Sequence, residues 1–105
     1  MSGISTHILD TAAGRPASAV QVHLYRGDEK LNSALTNPDG RVPALLPANV
    51  PLLPGNYRIQ FEVGTCWPEG FYPEVSVTFS VKDPQSHYHV PLLISPYGFT
   101  TYRGS

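Results

Sequence analysis

Three stretches of this chain alternate apolar and polar side chains with a period of two. In Ala19-Val20-Gln21-Val22-His23-Leu24-Tyr25, Val20, Val22 and Leu24 fall on one face, with Gln21, His23 and Tyr25 on the other. Val75-Ser76-Val77-Thr78-Phe79-Ser80-Val81-Lys82 is sharper still, apolar at every odd position and polar at every even one. Tyr57 to Val63 repeats the pattern. Successive side chains of an extended strand point to opposite sides, so these runs predict three strands with one buried face each. Ile4 to Leu9 is shorter and partly polar. His87 to Ile94 contains Pro91, which has no amide proton to donate and so points to an edge strand or a bulge. Phe99 to Tyr102 is too short to stand as a strand by itself.

The punctuation agrees. Asn37-Pro38-Asp39-Gly40 predicts a turn, because proline presets φ at the second position and glycine accepts positive φ. Pro54-Gly55-Asn56 predicts another, just before a strong strand. The proline-rich run from Pro43 to Pro54 reads as extended loop. No helical period occurs at any length, and Thr65 to Gly70 has room for at most one turn. These signals predict an all-β chain of seven to eight strands in two sheets packed face to face, a single domain over residues 1–105.

Composition narrows the function classes. The net charge is −1 and no stretch is basic, so the Lys/Arg stripe that displaces counterions from nucleic acid is missing. No apolar run reaches the length of a membrane-spanning helix. The opening Met1-Ser2-Gly3-Ile4-Ser5-Thr6 has neither the basic nor the apolar region of an export signal. The one cysteine, Cys66, has no internal partner for a disulfide, which suits a reducing compartment. The expected location is the cytoplasm.

Candidate chemistry is sparse. His87 and His89 share a strand face, roughly 6 to 7 Å apart by the per-residue rise. That pair could supply two ligands to zinc, but a catalytic site needs a third protein ligand, and no HExxH, CxxC or carboxylate cluster provides one. Exposed strand histidines without a role is the plainer reading of the pair. Cys66 has no neighbouring cation or base to lower its pKa. His7 is open to reading as an ordinary strand residue, and Arg41 as a solvated charge just past a turn. A neutral imidazole beside an arginine can act as general base while the guanidinium steadies developing negative charge, which is a generic possibility.

Three further stretches resemble the transthyretin-related 5-hydroxyisourate hydrolases. They are Ser5-Thr6-His7-Ile8-Leu9-Asp10-Thr11 with Gly14-Arg15-Pro16-Ala17, then Thr36 with Asp39-Gly40-Arg41, and lastly His87 to Gly98 running on to Thr101-Tyr102-Arg103-Gly104-Ser105. The Tyr-Arg-Gly-Ser ending is the family's hallmark and separates the hydrolases from the hormone carrier transthyretin. The likeness covers essentially the whole chain, including Phe71-Tyr72-Pro73-Glu74-Val75.

The resemblance implies a transthyretin-like sandwich assembled as a homotetramer, a dimer of dimers, with sites in the cleft between dimers. It implies a small-molecule substrate, 5-hydroxyisourate, hydrolysed without a metal or other cofactor in urate breakdown. Its site residues carry over to His7, Arg41 and His89, with Tyr102 and Ser105 closing the site. His7 or His89 would deprotonate water, and Arg41 would hold the substrate and the oxyanion. His23 and His87 match no catalytic position and read as structural or surface. One departure stands out: Gly64 to Gly70 is shorter than the corresponding segment of the family, which often holds a short helix. The rival reading is a transthyretin-like protein that binds a small ligand without chemistry, since one fold hosts many functions.

Overall fold

The computed structural model describes residues 3–105. Met1 and Ser2, the start of the stretch read for an export signal, lie outside the described residues. The described residues form nine strands in two sheets. The strands are β1 (Gly3–Asp10), β2 (Arg15–Pro16), β3 (Gln21–Arg26), β4 (Glu29–Leu35), β5 (Arg41–Val42), β6 (Gly55–Phe61), β7 (Val75–Val81), β8 (His87–Ser95) and β9 (Gly98–Thr101). A single 3-10 turn, Val63–Thr65, is the only helical element among the described residues. The all-β, two-sheet architecture is therefore the one the alternation predicts, with β2 and β5 as two-residue additions.

The three strongly alternating stretches all fall in one sheet, ordered β4-β3-β6-β7 and antiparallel throughout. Their apolar faces meet the other sheet: Val20, Val22, Leu24, Ile59 and Phe61 are each 0% exposed. β4 carries no usable pattern of its own. It is an edge strand held by its pairing to β3 through the Gly27-Asp28 turn, and Gly27 takes a φ of 61° there. An edge strand with one solvated face gains its order from its neighbour, so its sequence is under little pressure to alternate.

The other sheet is ordered β2-β1-β8-β9, with β5 also paired to β1. Its centre is the parallel pair β1 and β8. Pro91 therefore stands in an interior strand, which corrects the edge expectation. The missing amide is accommodated because residues 89, 91 and 93 present their backbone polar groups towards β9, where the ladder breaks. The Pro91 carbonyl accepts from the Thr101 hydroxyl at 2.7 Å, and the His89 carbonyl accepts from the Gly104 amide at 2.8 Å. Regular pairing resumes only from Leu92 with Thr101.

Contrary to what its sequence predicts, the proline-rich loop is not extended over its length but folds through turns at Pro43-Ala44 and Ala48-Asn49, because it dips inward: Leu45, Leu46 and Leu52 join the core. The Leu45 amide donates to the Ile4 carbonyl at 2.9 Å, and the Asn32 amide group donates to the Leu45 carbonyl at 2.9 Å. The short segment after β6 is also tied down. The Gly64 amide donates to the Pro73 carbonyl at 2.8 Å, and the Trp67 indole donates to an Asp10 carboxylate oxygen at 3.2 Å. None of the described helices is long and apolar enough to cross a membrane.

Candidate active site

The register of β1 on β8 pairs Gly3 with His87, Ser5 with His89 and His7 with Pro91. Paired residues share a sheet face, and so do residues two apart on one strand. Ile4, Thr6 and Ile8 point into the core, as do Tyr88, Val90 and Leu92. Ser5, His7, His87 and His89 consequently all lie on the outer face. β5 adds Arg41 beside them, paired with His7.

Arg41 is placed by the turn before it. The Asn37 side-chain oxygen accepts from the amides of Asp39 and Arg41, each at 3.0 Å, and the Gly40 amide donates to the Asn37 carbonyl at 2.8 Å. Gly40 is required twice over. Its φ is 75°, and a Cβ there would stand 2.5 Å from the Ile8 carbonyl oxygen, which already accepts from Ala17. The Gly40 carbonyl in turn accepts from the Ile8 amide at 2.8 Å, stitching the turn to β1.

The C-terminal segment closes the other side. Gly104 pairs with His89, and a Cβ on Gly104 would stand 2.5 Å from Cδ2 of His89 and 3.3 Å from Pro91. Only glycine lets this backbone lie flat on the imidazole. Ser105 then lines an open recess of about 240 Å³ with Arg41 and His89, walled also by Ser5, Thr6, Pro43 and His87.

Within the recess, the Ser5 hydroxyl lies 2.7 Å from Nδ1 of His89 and 2.7 Å from Nε2 of His87. Nε2 of His89 has no protein partner among the described residues. Partial burial lowers the pKa of His89 below its ordinary value of about 6.5, and the nearby charges of Arg41, His7 and His87 push it the same way. An imidazole held neutral at neutral pH, with one nitrogen anchored and the other free, is equipped to take a proton from water.

The expected site residues are thus partly gathered. Arg41, His89 and Ser105 share the recess, and His7 stands on the same face next to Arg41, close enough to influence His89. Tyr102 is not with them. It is 55% exposed and lines a separate, more apolar recess of about 320 Å³ with Val77, Phe79, Tyr88 and Val90. The reason is the broken ladder opposite Pro91: residues 102 and 103 leave the sheet before Gly104 returns to it. Ser5 and His87 also enter the recess, although the sequence drew notice to His87 only as half of a candidate metal pair and gave Ser5 no role. Period two on β1 already puts Ser5 on the face of His7, but only the pairing with β8 sets it between two imidazoles. Cys66 is exposed and lies outside the recess. No group of three or more His, Cys, Asp or Glu gathers with metal-binding geometry among the described residues.

Residues 4–104 match the family described as HIUase/Transthyretin. The chain belongs to this family. Among its members, a 5-hydroxyisourate hydrolase of Salmonella typhimurium is 43% identical, over 97% of this chain and 80% of that one. The structure of Klebsiella pneumoniae 5-hydroxyisourate hydrolase superposes with a TM-score of 0.91 at 38% identity, covering all of both chains. Sea bream transthyretin in complex with thyroxine superposes with a TM-score of 0.84 at 25% identity, over 96% of this chain and 93% of that one. A protein named as a hydrolase and one solved with thyroxine bound thus share this scaffold.

Proposed function

We propose that this protein is a single-domain, cytoplasmic hydrolase that opens the six-membered ring of 5-hydroxyisourate in urate breakdown. The observation that carries the reading is the recess itself: a half-buried imidazole biased towards its neutral form, facing the same space as Arg41 and Ser105. Relatives named as 5-hydroxyisourate hydrolases at about this length support the same activity.

In the proposed reaction, water enters between a histidine and Arg41. His89, with His7 as its neighbour, takes a proton as the water oxygen bonds to the lactam carbonyl carbon. The electron pair of that carbonyl moves onto its oxygen, where Arg41 offers a fixed positive charge. Collapse of the tetrahedral intermediate breaks the C–N bond, and the imidazolium returns its proton to the departing nitrogen. The single product carries a carboxyl group and a ureido group on the five-membered ring that remains closed. No metal or other cofactor enters these steps. His7 and Arg41 are also the proposed substrate-binding groups.

The proposed assembly is a homotetramer, a dimer of dimers. The last strands of the two sheets, β7 and β9, leave their outer edges unpaired within the chain, and Val77 and Phe79 are only half-buried. Phe71, Tyr97 and Phe99 are large, apolar and exposed nearby in sequence. In that assembly Tyr102 would reach a substrate across a subunit boundary. The test is to generate 5-hydroxyisourate in situ with urate oxidase and follow its decay. Decay faster than the spontaneous rate in proportion to protein supports the hydrolase. Binding of the compound without faster decay would instead make this a small-ligand binding protein, in line with the thyroxine bound to transthyretin on the same scaffold.

A further inference from the structure

The Ser5 hydroxyl bridges two imidazoles with equal distances of 2.7 Å, and it has a single proton to give. Two polarities are possible. If Ser5 donates to His89, Nδ1 of His89 is bare and Nε2 carries the proton, so the face towards the recess cannot act as a base. If Ser5 donates to Nε2 of His87, it accepts from Nδ1–H of His89, and the lone pair of Nε2 is left free. Arg41 lines the same recess and favours a lone pair there over a second N–H donor.

From this geometry we propose that Ser5 and His87 are positioning residues that hold His89 in its base-competent tautomer. The proposal rests on the hydrolase reading. Three observations carry it. Ser5 is 8% exposed, so its hydroxyl has little access to water and depends on the two rings. Gly104 covers the Cδ2 edge of His89, and Gly3 lies against His87, where a Cβ would stand 3.2 Å from Nδ1, so backbone packs closely on both rings. His87 is exposed and ends the chain of hydrogen bonds at the surface.

Turnover must also return a proton to solvent without disturbing this arrangement. Hydrolysing an amide to a carboxylate and a non-basic ureido nitrogen releases one proton at neutral pH. When His89 binds that proton at Nε2, it can pass it from the same nitrogen to water in the open recess, while Nδ1–H stays bonded to Ser5 and Ser5 to Nε2 of His87. His89 is then back in its base-competent tautomer, and one proton leaves the site per turnover.

The test combines a tautomer readout with kinetics on the full chain. In the wild type, long-range 1H–15N spectra of the side chain are expected to show His89 protonated at Nδ1. Ser5→Ala is expected to produce a mixture of tautomers and to lower kcat about tenfold or more, with KM nearly unchanged. Ser5→Thr, which keeps the hydroxyl, is expected to restore much of both. His87→Ala, an exposed position, is expected to lower kcat several-fold and to be rescued by added imidazole buffer. A His89 tautomer and kcat unaffected by either substitution overturn the proposal, as does a loss in His87→Ala that imidazole cannot rescue. Should Ser5→Ala unfold, the His87→Ala result decides alone. Should the wild type fail to hydrolyse 5-hydroxyisourate, the hydrolase reading fails, while the tautomer spectra still judge the hydrogen-bonded chain.

Discussion

Each outer sheet face of this protein carries a histidine bonded to a serine, and only one of the two is set up for chemistry. On the antiparallel sheet, His23 places Nδ1 2.6 Å from the Ser33 hydroxyl and its Nε2 against the Glu62 carboxylate. Both nitrogens are occupied and Tyr25 packs alongside; a recess lined by Gln60 and Glu62 lies on this side, but the ring itself is not part of its lining. On the mixed sheet, His89 spends one nitrogen on Ser5, keeps the other free, and faces a recess shared with a guanidinium. At His89, burial and the arginine neighbour favour the neutral ring. The difference lies in the surroundings of the ring, since both residues sit on strands with the same outward direction.

The most direct way to break this contrast is to remove each ring in turn. His89→Asn is expected to reduce kcat/KM by about 10² or more, the usual cost of losing a general base, with thermal unfolding little changed. His7→Asn is expected to fall in the same range. His23→Asn is expected to keep turnover within about twofold and to show its effect in the melting temperature, because it breaks a Ser–His–Glu chain. Comparable losses of activity at His23 and His89 would erase the distinction.

Arg41 sharpens the contrast next. Arg41→Ala is expected to cost about 10² in kcat/KM, as for other donors to a developing oxyanion. Arg41→Lys keeps the charge and loses the planar fork, so a marked deficit should remain. Full activity in the lysine variant would mean that point charge alone suffices. Gly104→Ala probes placement without touching a functional group. Its Cβ would overlap the His89 ring, and a shift of about 1 Å can cost up to about 10² in rate. Unchanged kinetics would show that the C-terminal segment does not position His89.

Smaller effects are expected with pH and chelators. The neutral form of His89 is the active one, and its pKa is lowered by burial and by Arg41. The acid limb of kcat/KM should therefore have its midpoint below about 6.5, with activity lost as pH falls through it. In Arg41→Gln, an NMR titration of His89 should move its midpoint upward, towards the ordinary value. A downward move would reverse the assigned sign. Chelators should leave activity unchanged, because the His87–His89 pair finds no third ligand among the described residues. Loss of activity restored by zinc would overturn the metal-independent mechanism.

The two faces also explain what could be read from the chain. β3, β6 and β7 alternate cleanly because one side meets the core and the other meets water or simple surface pairs. β1 and β8 were the weaker signals. Their outer face carries Ser5, His7, His87 and His89 and is partly covered by the C-terminal segment, so burial there no longer follows period two. Alternation blurs at the place where the candidate site is built.

The amino-acid sequence by itself determined the all-β class, the sandwich of two sheets, the turn that carries Arg41, and the family through its three motifs. Local rules suffice for these: period-two burial, proline and glycine at turns, and residue types in a fixed order. Only the tertiary structure decided that Pro91 belongs to an interior strand, that Tyr102 parts from the recess, and that Ser5 sits between His87 and His89. Each of these depends on the register of β1 against β8, strands separated by most of the chain's length. A register of that kind is set by packing of the whole core, and no local window of sequence contains it.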